Sequence, residues 1–161
     1  MTLRVSGIIN ESIVDGPGIR LVVFAQGCER RCPGCHNPET HAPDGGRETD
    51  ISEIVTMIKA NPLLRGVTFS GGEPFLQARA FACLARLSRE AGLDVMVYSG
   101  YTIEEILEIG GEYRELLEET DILVDGPYIE GQRTLGALYK GSANQRVIDV
   151  PATLNTQNKT N

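Results

Sequence analysis

Apolar residues follow two rhythms along this 161-residue chain. Arg20–Ala25 is an almost unbroken apolar, β-rich run and predicts a strand that ends at the cysteine loop. Similar short runs at Gly66–Ser70, Leu93–Ser99 and Asp121–Val124 predict further strands, with another at Gln145–Val150. Between them the spacing turns helical. Ile51, Ile54, Val55 and Ile58 repeat at helical intervals over Ile51–Ala60, with Asp50 placed as N-cap. Phe75–Ala91 reads as a second helix stopped by Gly92. Ile103–Leu107 and Tyr113–Glu119 read as two more, split by Gly110-Gly111. The last stretch, from Pro151 to Asn161, is polar and rich in Asn and Thr, and predicts a frayed tail. The expected organisation is one domain over 1–150 and a disordered tail over 151–161.

Strands alternating with helices imply βαβ units and a parallel sheet. A closed eight-fold barrel needs at least ~200 residues, so the expected fold is α/β, a partial, open-sided barrel of about five to six mostly parallel strands. Ligands collect at the C-terminal ends of such strands. Three polar loops fall there: the run that follows Ala25, Ser70-Gly71-Gly72-Glu73-Pro74, and Ser99-Gly100-Tyr101.

Composition narrows the class. Hydrophobic content of 41% and charged content of 23% are ordinary for a globular protein. No apolar run approaches the ~18 residues of a membrane span. Met1–Val5 lacks the apolar core of a signal peptide, so the cytoplasm is the expected compartment. A net charge of −7 argues against a nucleic-acid partner. The charge is uneven. Thr102–Asp121 carries eight acidic residues against Arg114 alone, which reads as a solvated helix face. Arg30 and Arg31, with Arg20 upstream, read as a solvated loop or a docking patch for an acidic electron donor.

The most specific chemistry is Cys28, Cys32 and Cys35, a C-x3-C-x2-C run. Three soft thiolates in so short a loop can converge on an iron–sulfur cluster or on zinc. A cube held by three cysteines keeps one iron open for a small molecule. Zinc would need a fourth ligand from His36, His41 or Cys83, and His36 follows Cys35 directly, a cramped geometry for two ligands on one ion. Four cysteines in this length are too sparse for a disulfide framework. Cys83, within Arg79–Ala85, reads as a small hydrophobe of a helix. Gly71-Gly72-Glu73-Pro74 can be a plain strand-to-helix turn with Pro near the helix start. Its glycines can also bring backbone carbonyls close to a ligand's ammonium group. No Ser–His–Asp or paired-carboxylate arrangement supports hydrolysis.

Together the two motifs resemble the radical S-adenosylmethionine superfamily. Ser12–Arg20 and Cys35–Thr40 are similar to the activating enzymes of glycyl-radical enzymes. Val67–Phe75, Tyr98–Thr102, Leu123–Pro127 and Gly141–Asp149 are similar to the activators of anaerobic ribonucleoside-triphosphate reductase. The resemblance runs from about Ser12 to Asp149. It implies a [4Fe–4S] cluster on Cys28, Cys32 and Cys35, and S-adenosylmethionine bound by Gly34, Cys35, His36, Ser70, Gly71, Gly72, Glu73 and Ser99. It implies reductive cleavage to a 5′-deoxyadenosyl radical that takes a Cα hydrogen from a glycine of the reductase. It also implies a donor such as flavodoxin or ferredoxin. Many members of the superfamily place an aromatic residue before the third cysteine; here Gly34 stands there, so the adenine would rest on backbone around Gly34-Cys35-His36. Asp125 lies in a matched motif without an assigned role. Rival readings are an activator of pyruvate formate-lyase, a radical enzyme acting on a purine-like metabolite, and a non-catalytic iron–sulfur or zinc module.

Overall fold

A computed structural model describes residues 1–27, 45–129, 132, 139–140 and 142–160. The strands are β1 (Thr2–Ser12), β2 (Arg20–Ala25), β3 (Arg47–Asp50), β4 (Gly66–Gly71), β5 (Asp94–Tyr98), β6 (Ile122–Asp125) and β7 (Arg146–Asp149). The helices are α1 (Ile51–Ala60), α2 (Ala78–Glu90), α3 (Ile103–Ile109), α4 (Gly111–Glu118) and α5 (Val150–Thr160). All seven strands form one sheet in the order β3-β1-β2-β4-β5-β6-β7. The middle is parallel, β2 to β4 to β5 to β6. Both flanks are antiparallel: β1 lies on β2, β3 on β1, and β7 on β6. The order is linear, so the sheet is open, as the chain length requires.

The central strands are covered on both faces, which explains their unbroken apolar runs. Leu21, Val23, Ala25, Val67, Phe69, Val95, Val97 and Leu123 pack into the main core with Phe75, Phe81, Leu84, Ile54 and Leu116 of the helical side. Phe69 and Phe81 meet with ring centroids 4.7 Å apart, inside the range of favourable aromatic pairs. The alternate positions, Val22, Thr68, Met96 and Val124, are also buried. The Asp15–Pro17 segment crosses that second face: Thr68 Oγ1 donates to Asp15 O at 2.7 Å, and a Cβ on Gly16 would lie 2.7 Å from Met96 Sδ.

Helix signals read from sequence hold in detail. Asp50 caps α1 by accepting from Ser52 N at 2.9 Å. Thr102 and Glu105 form a reciprocal capping box at the start of α3. Gly110 and Gly111, at φ 66° and 53°, break α3 from α4.

Three differences stand out. Among the described residues the sheet has seven strands rather than five or six, because β1 and β3 carry little apolar pattern. β1 has register shifts around Gly7 and before Ser12, and β3 is Arg-Glu-Thr-Asp, a short edge strand with only Thr49 buried. The polar closing stretch, expected to be a frayed tail, forms α5. Asp149 accepts from Ala152 N at 3.1 Å, Pro151 sits in the first turn, Val150 is fully buried and Leu154 packs on the core. Arg20, grouped by sequence with a solvated basic patch, is instead 0% exposed. Its guanidinium donates to Thr68 Oγ1 (2.8 Å), Pro17 O (2.8 Å) and Val67 O (2.9 Å), and pairs with Asp94. Among the described residues, no helix is long and apolar enough to cross a membrane.

Candidate functional site

Cys28, Cys32, Gly34, Cys35 and His36 lie outside the described residues, as do Arg30, Arg31 and His41. Both roots of their loop are described. Gly27, at φ 108°, leaves the C-terminal end of β2, and its carbonyl accepts from Glu73 N at 2.7 Å. At the other root, Gly45 O accepts from Arg4 Nη1 at 3.1 Å. Gln77 ties the first root to β1: Arg4 N donates to its Oε1 at 2.8 Å, and its Nε2 donates to Arg4 O at 2.9 Å and Gln26 O at 3.3 Å.

The glycine–glycine–glutamate turn stands beside that root. Gly71 pairs with Ala25 as β4 ends. Its φ is 89°, and a Cβ there would lie 2.7 Å from Ala25 N, so this position requires glycine. Gly72 N donates to Ala25 O at 2.7 Å, and Glu73 N to Gly27 O at 2.7 Å. The peptides are trans. In a trans peptide the C=O and N–H point oppositely, so the carbonyls of Gly71 and Gly72 face away from β2. Two acceptors at a half-buried strand end suit an ammonium group. Ser70 precedes them and is itself half-buried.

The Glu73 carboxylate, 2% exposed, points the other way along the sheet. It accepts from Ser99 Oγ at 3.0 Å, from Gly100 N at 2.7 Å, and from Phe75 N at 3.1 Å, which caps the 3-10 turn Pro74–Gln77. Ser99 Oγ also accepts from Tyr101 N at 3.0 Å. Gly71, Gly72, Glu73 and Ser99 therefore come together, with Ser70 adjoining.

The next strand end extends the array. Asp125, 1% exposed, closes β6 and accepts from Ile103 N at 2.8 Å, the first residue of α3. Ser99 N donates to Val124 O (2.9 Å) and Gly126 N to Tyr101 O (3.2 Å). Three consecutive side chains then read three consecutive residues in antiparallel order. Arg146 Nε and Nη2 reach Asp125 at 3.0 and 2.5 Å; Gln145 Nε2 donates to Gly126 O at 3.0 Å; Asn144 Nδ2 donates to Pro127 O at 2.8 Å. Arg146 also bridges to Glu104 at 2.6 Å, holding that carboxyl down at about 2. Its own guanidinium is held charged more firmly than usual by the hydrogen bonds it donates to Asp125 and Glu104. Sequence reasoning left Asp125 without a role, and missed Gly27, Gly100 and Arg146 as parts of this array. The signal available was one acidic and one basic residue, each inside a matched motif.

Among the described residues no group of three or more His, Cys, Asp or Glu could hold a metal ion. Cys83 packs half-buried on α2 against the core, as its apolar surroundings imply.

The family model for a 4Fe-4S single cluster domain matches residues 14–148. The chain belongs to the 4Fe-4S single cluster domain family. It is 33% identical over 141 residues to the anaerobic ribonucleoside-triphosphate reductase-activating protein of Vibrio cholerae, covering 83% of this chain and 89% of that one. It is 38% identical over 127 residues to the pyruvate formate-lyase-activating enzyme of Clostridium pasteurianum, and there it spans half of the relative's length while 75% of this chain is matched. Its fold matches QueE from Escherichia coli with a TM-score of 0.52 at 17% identity, over 63% of this chain and 54% of that chain. This member of the 4Fe-4S single cluster domain family places Gly27, the residue before Cys28, at the C-terminal edge of a parallel sheet, beside the glycine–glycine–glutamate turn.

Proposed function

We propose that this protein is a radical S-adenosylmethionine enzyme that installs a glycyl radical on anaerobic ribonucleoside-triphosphate reductase. The observation that carries the reading is the Glu73 N to Gly27 O bond, which sets the turn with two free-facing carbonyls against the root of the three-cysteine loop. Cys28, Cys32 and Cys35 would hold the [4Fe–4S] cluster. When bound, the cluster supplies the electron that cleaves the sulfonium of S-adenosylmethionine, and the 5′-deoxyadenosyl radical released takes a Cα hydrogen from a glycine of the partner.

The chain's own residues bind and orient. Gly71 and Gly72 offer carbonyls to the ammonium of S-adenosylmethionine. Glu73 braces that turn against Ser99 and Gly100, and Ser70 and Ser99 line its flank. Backbone around Gly34, Cys35 and His36 supports the adenine. The open sheet leaves a side through which a polypeptide loop can enter, as a glycine substrate without a side chain demands. The electron donor is a flavodoxin or ferredoxin, and the setting is the cytoplasm.

The reductase is favoured as partner because the match to its activator in Vibrio cholerae covers 89% of that protein. The 38% identity to a pyruvate formate-lyase-activating enzyme favours that lyase as the second reading. Anaerobically reconstituted, reduced protein should give a carbon-centred electron paramagnetic resonance doublet on the reductase. Deuterated reductase glycines should place deuterium in 5′-deoxyadenosine. Each of Cys28→Ala, Cys32→Ala and Cys35→Ala should abolish both signals. Radical formation on pyruvate formate-lyase alone would move the partner. An air-stable protein with one zinc per chain would end the reading.

A further inference from the structure

We infer that Arg146 is a positioning residue for the S-adenosylmethionine site, acting through a relay of hydrogen bonds that crosses three strand ends. The inference rests on the radical S-adenosylmethionine reading above. Arg146 lies on β7, at the far side of the sheet from the cysteine loop's root on β2, with β6, β5 and β4 between them.

Each link is a measured contact. Arg146 grips both oxygens of Asp125. Asp125 holds Ile103 N at 2.8 Å, and the adjacent Gly126 N holds Tyr101 O at 3.2 Å. These two bonds fix both ends of the Tyr101–Ile103 corner. The same loop presents Ser99 Oγ and Gly100 N to Glu73. Glu73 N in turn holds Gly27 O. Asp125 is buried, and a buried carboxylate that loses its cationic partner is strongly disfavoured. Without Arg146 it must rotate toward water to find other donors. That change loosens the Ile103 bond and lets the Ser99–Thr102 loop drift. Glu73 then loses the rigid donors that aim the Gly71 and Gly72 carbonyls. Glu104, the other partner of Arg146, is an exposed member of the network, and its bond to Arg146 is not on this path.

The test compares the full-length parent with Arg146→Met, Arg146→Lys and Glu104→Gln. Titration of the anaerobic, cluster-loaded proteins with S-adenosylmethionine should show binding about tenfold weaker in Arg146→Met, at equal iron and sulfide content, as coupling through a packed network allows. Arg146→Lys retains one charged bond to Asp125 and should recover to within about threefold, while Glu104→Gln should stay within about twofold. Amide hydrogen exchange on the cluster-free proteins should rise in Arg146→Met over Ser99–Ile103 and over Gly71–Phe75. The inference falls if folded Arg146→Met, or Arg146→Gln where the former does not fold, binds like the parent. It falls too if faster exchange is confined to β6 and β7. Failure of the parent itself to bind S-adenosylmethionine would overturn the functional reading, whereas unchanged exchange at Gly71–Phe75 would overturn the relay alone.

Discussion

The two ends of the parallel strands are finished in opposite ways. At the N-terminal end, Arg20 opens β2, Gly66 opens β4 and Asp94 opens β5. The Arg20 side chain crosses above Gly66 to reach Asp94; a Cβ on Gly66 would lie 2.5 Å from its guanidinium nitrogens. Charge meets charge directly, and the remaining N–H groups go to strand atoms and to Pro17 O. At the C-terminal end, the buried Glu73 carboxylate is gripped by a hydroxyl and an amide of the β5–α3 loop. An ion pair between two strands stays fixed whatever the loops do. A carboxylate held by a loop is only as fixed as that loop. One end is built for stability, and the other can be set by neighbouring loops and by a ligand, the division familiar from barrel enzymes.

The harshest way to break this comparison is at the stable end. Asp94→Asn removes the partner of a fully buried guanidinium. Such unpaired charges cost about 3–5 kcal/mol, and Arg65, 3.9 Å from Asp94, adds no compensation because it pairs with the same carboxylate. Chemical denaturation of cluster-free protein should show that loss. The fraction that remains folded should bind S-adenosylmethionine as the parent does. A loss under about 1 kcal/mol would mean that the pair behaves as an exposed one and that the N-terminal end is not the clamp.

Gly71→Ala sharpens the same contrast from the other end without touching a charge. The new Cβ meets Ala25 N and O at 2.7 and 2.8 Å, and the residue must keep a φ of 89°. Strain of this kind costs about 1–3 kcal/mol, and the turn can relieve part of it only by moving away from β2. Stability and S-adenosylmethionine affinity should therefore fall together, unlike in Asp94→Asn. Unchanged affinity in calorimetry, at full cluster content, would remove the Gly71 carbonyl from the site.

Sequence made the parallel core legible because its strands are buried on both faces and its helices keep strict apolar spacing. Arg20–Ala25 and Ile51–Ala60 were readable to the residue for that reason. β3 was not, since an edge strand needs only backbone pairing, and Arg-Glu-Thr-Asp offers no pattern to read. α5 was hidden by its polarity; Asp149 caps it and Val150 and Leu154 anchor it. The motif residues were legible as a set, but their internal wiring was not. Arg20 reads as a surface charge in sequence and Asp125 has no role there; only the fold shows that both are buried with a partner.

The gentlest probe tests whether the exposed arm of the Arg146 bridge matters to the fold. Arg146 holds the Glu104 carboxyl below its ordinary value of 4.5, at about 2. A carboxyl lowered in the folded state contributes stability above its unfolded pKa and loses that contribution as pH falls through the folded one. The Glu104 contribution should thus be complete above about pH 5 and vanish between 4.5 and 2. Its side chain is 64% exposed, so solvent screening keeps the gain to well under about 1 kcal/mol. Glu104→Gln should be slightly less stable than the parent at neutral pH, and the gap should close in acid and shrink in high salt. A gap that persists undiminished well below pH 2 would instead assign the effect to the packing of α3, because there the parent's carboxyl is largely neutral.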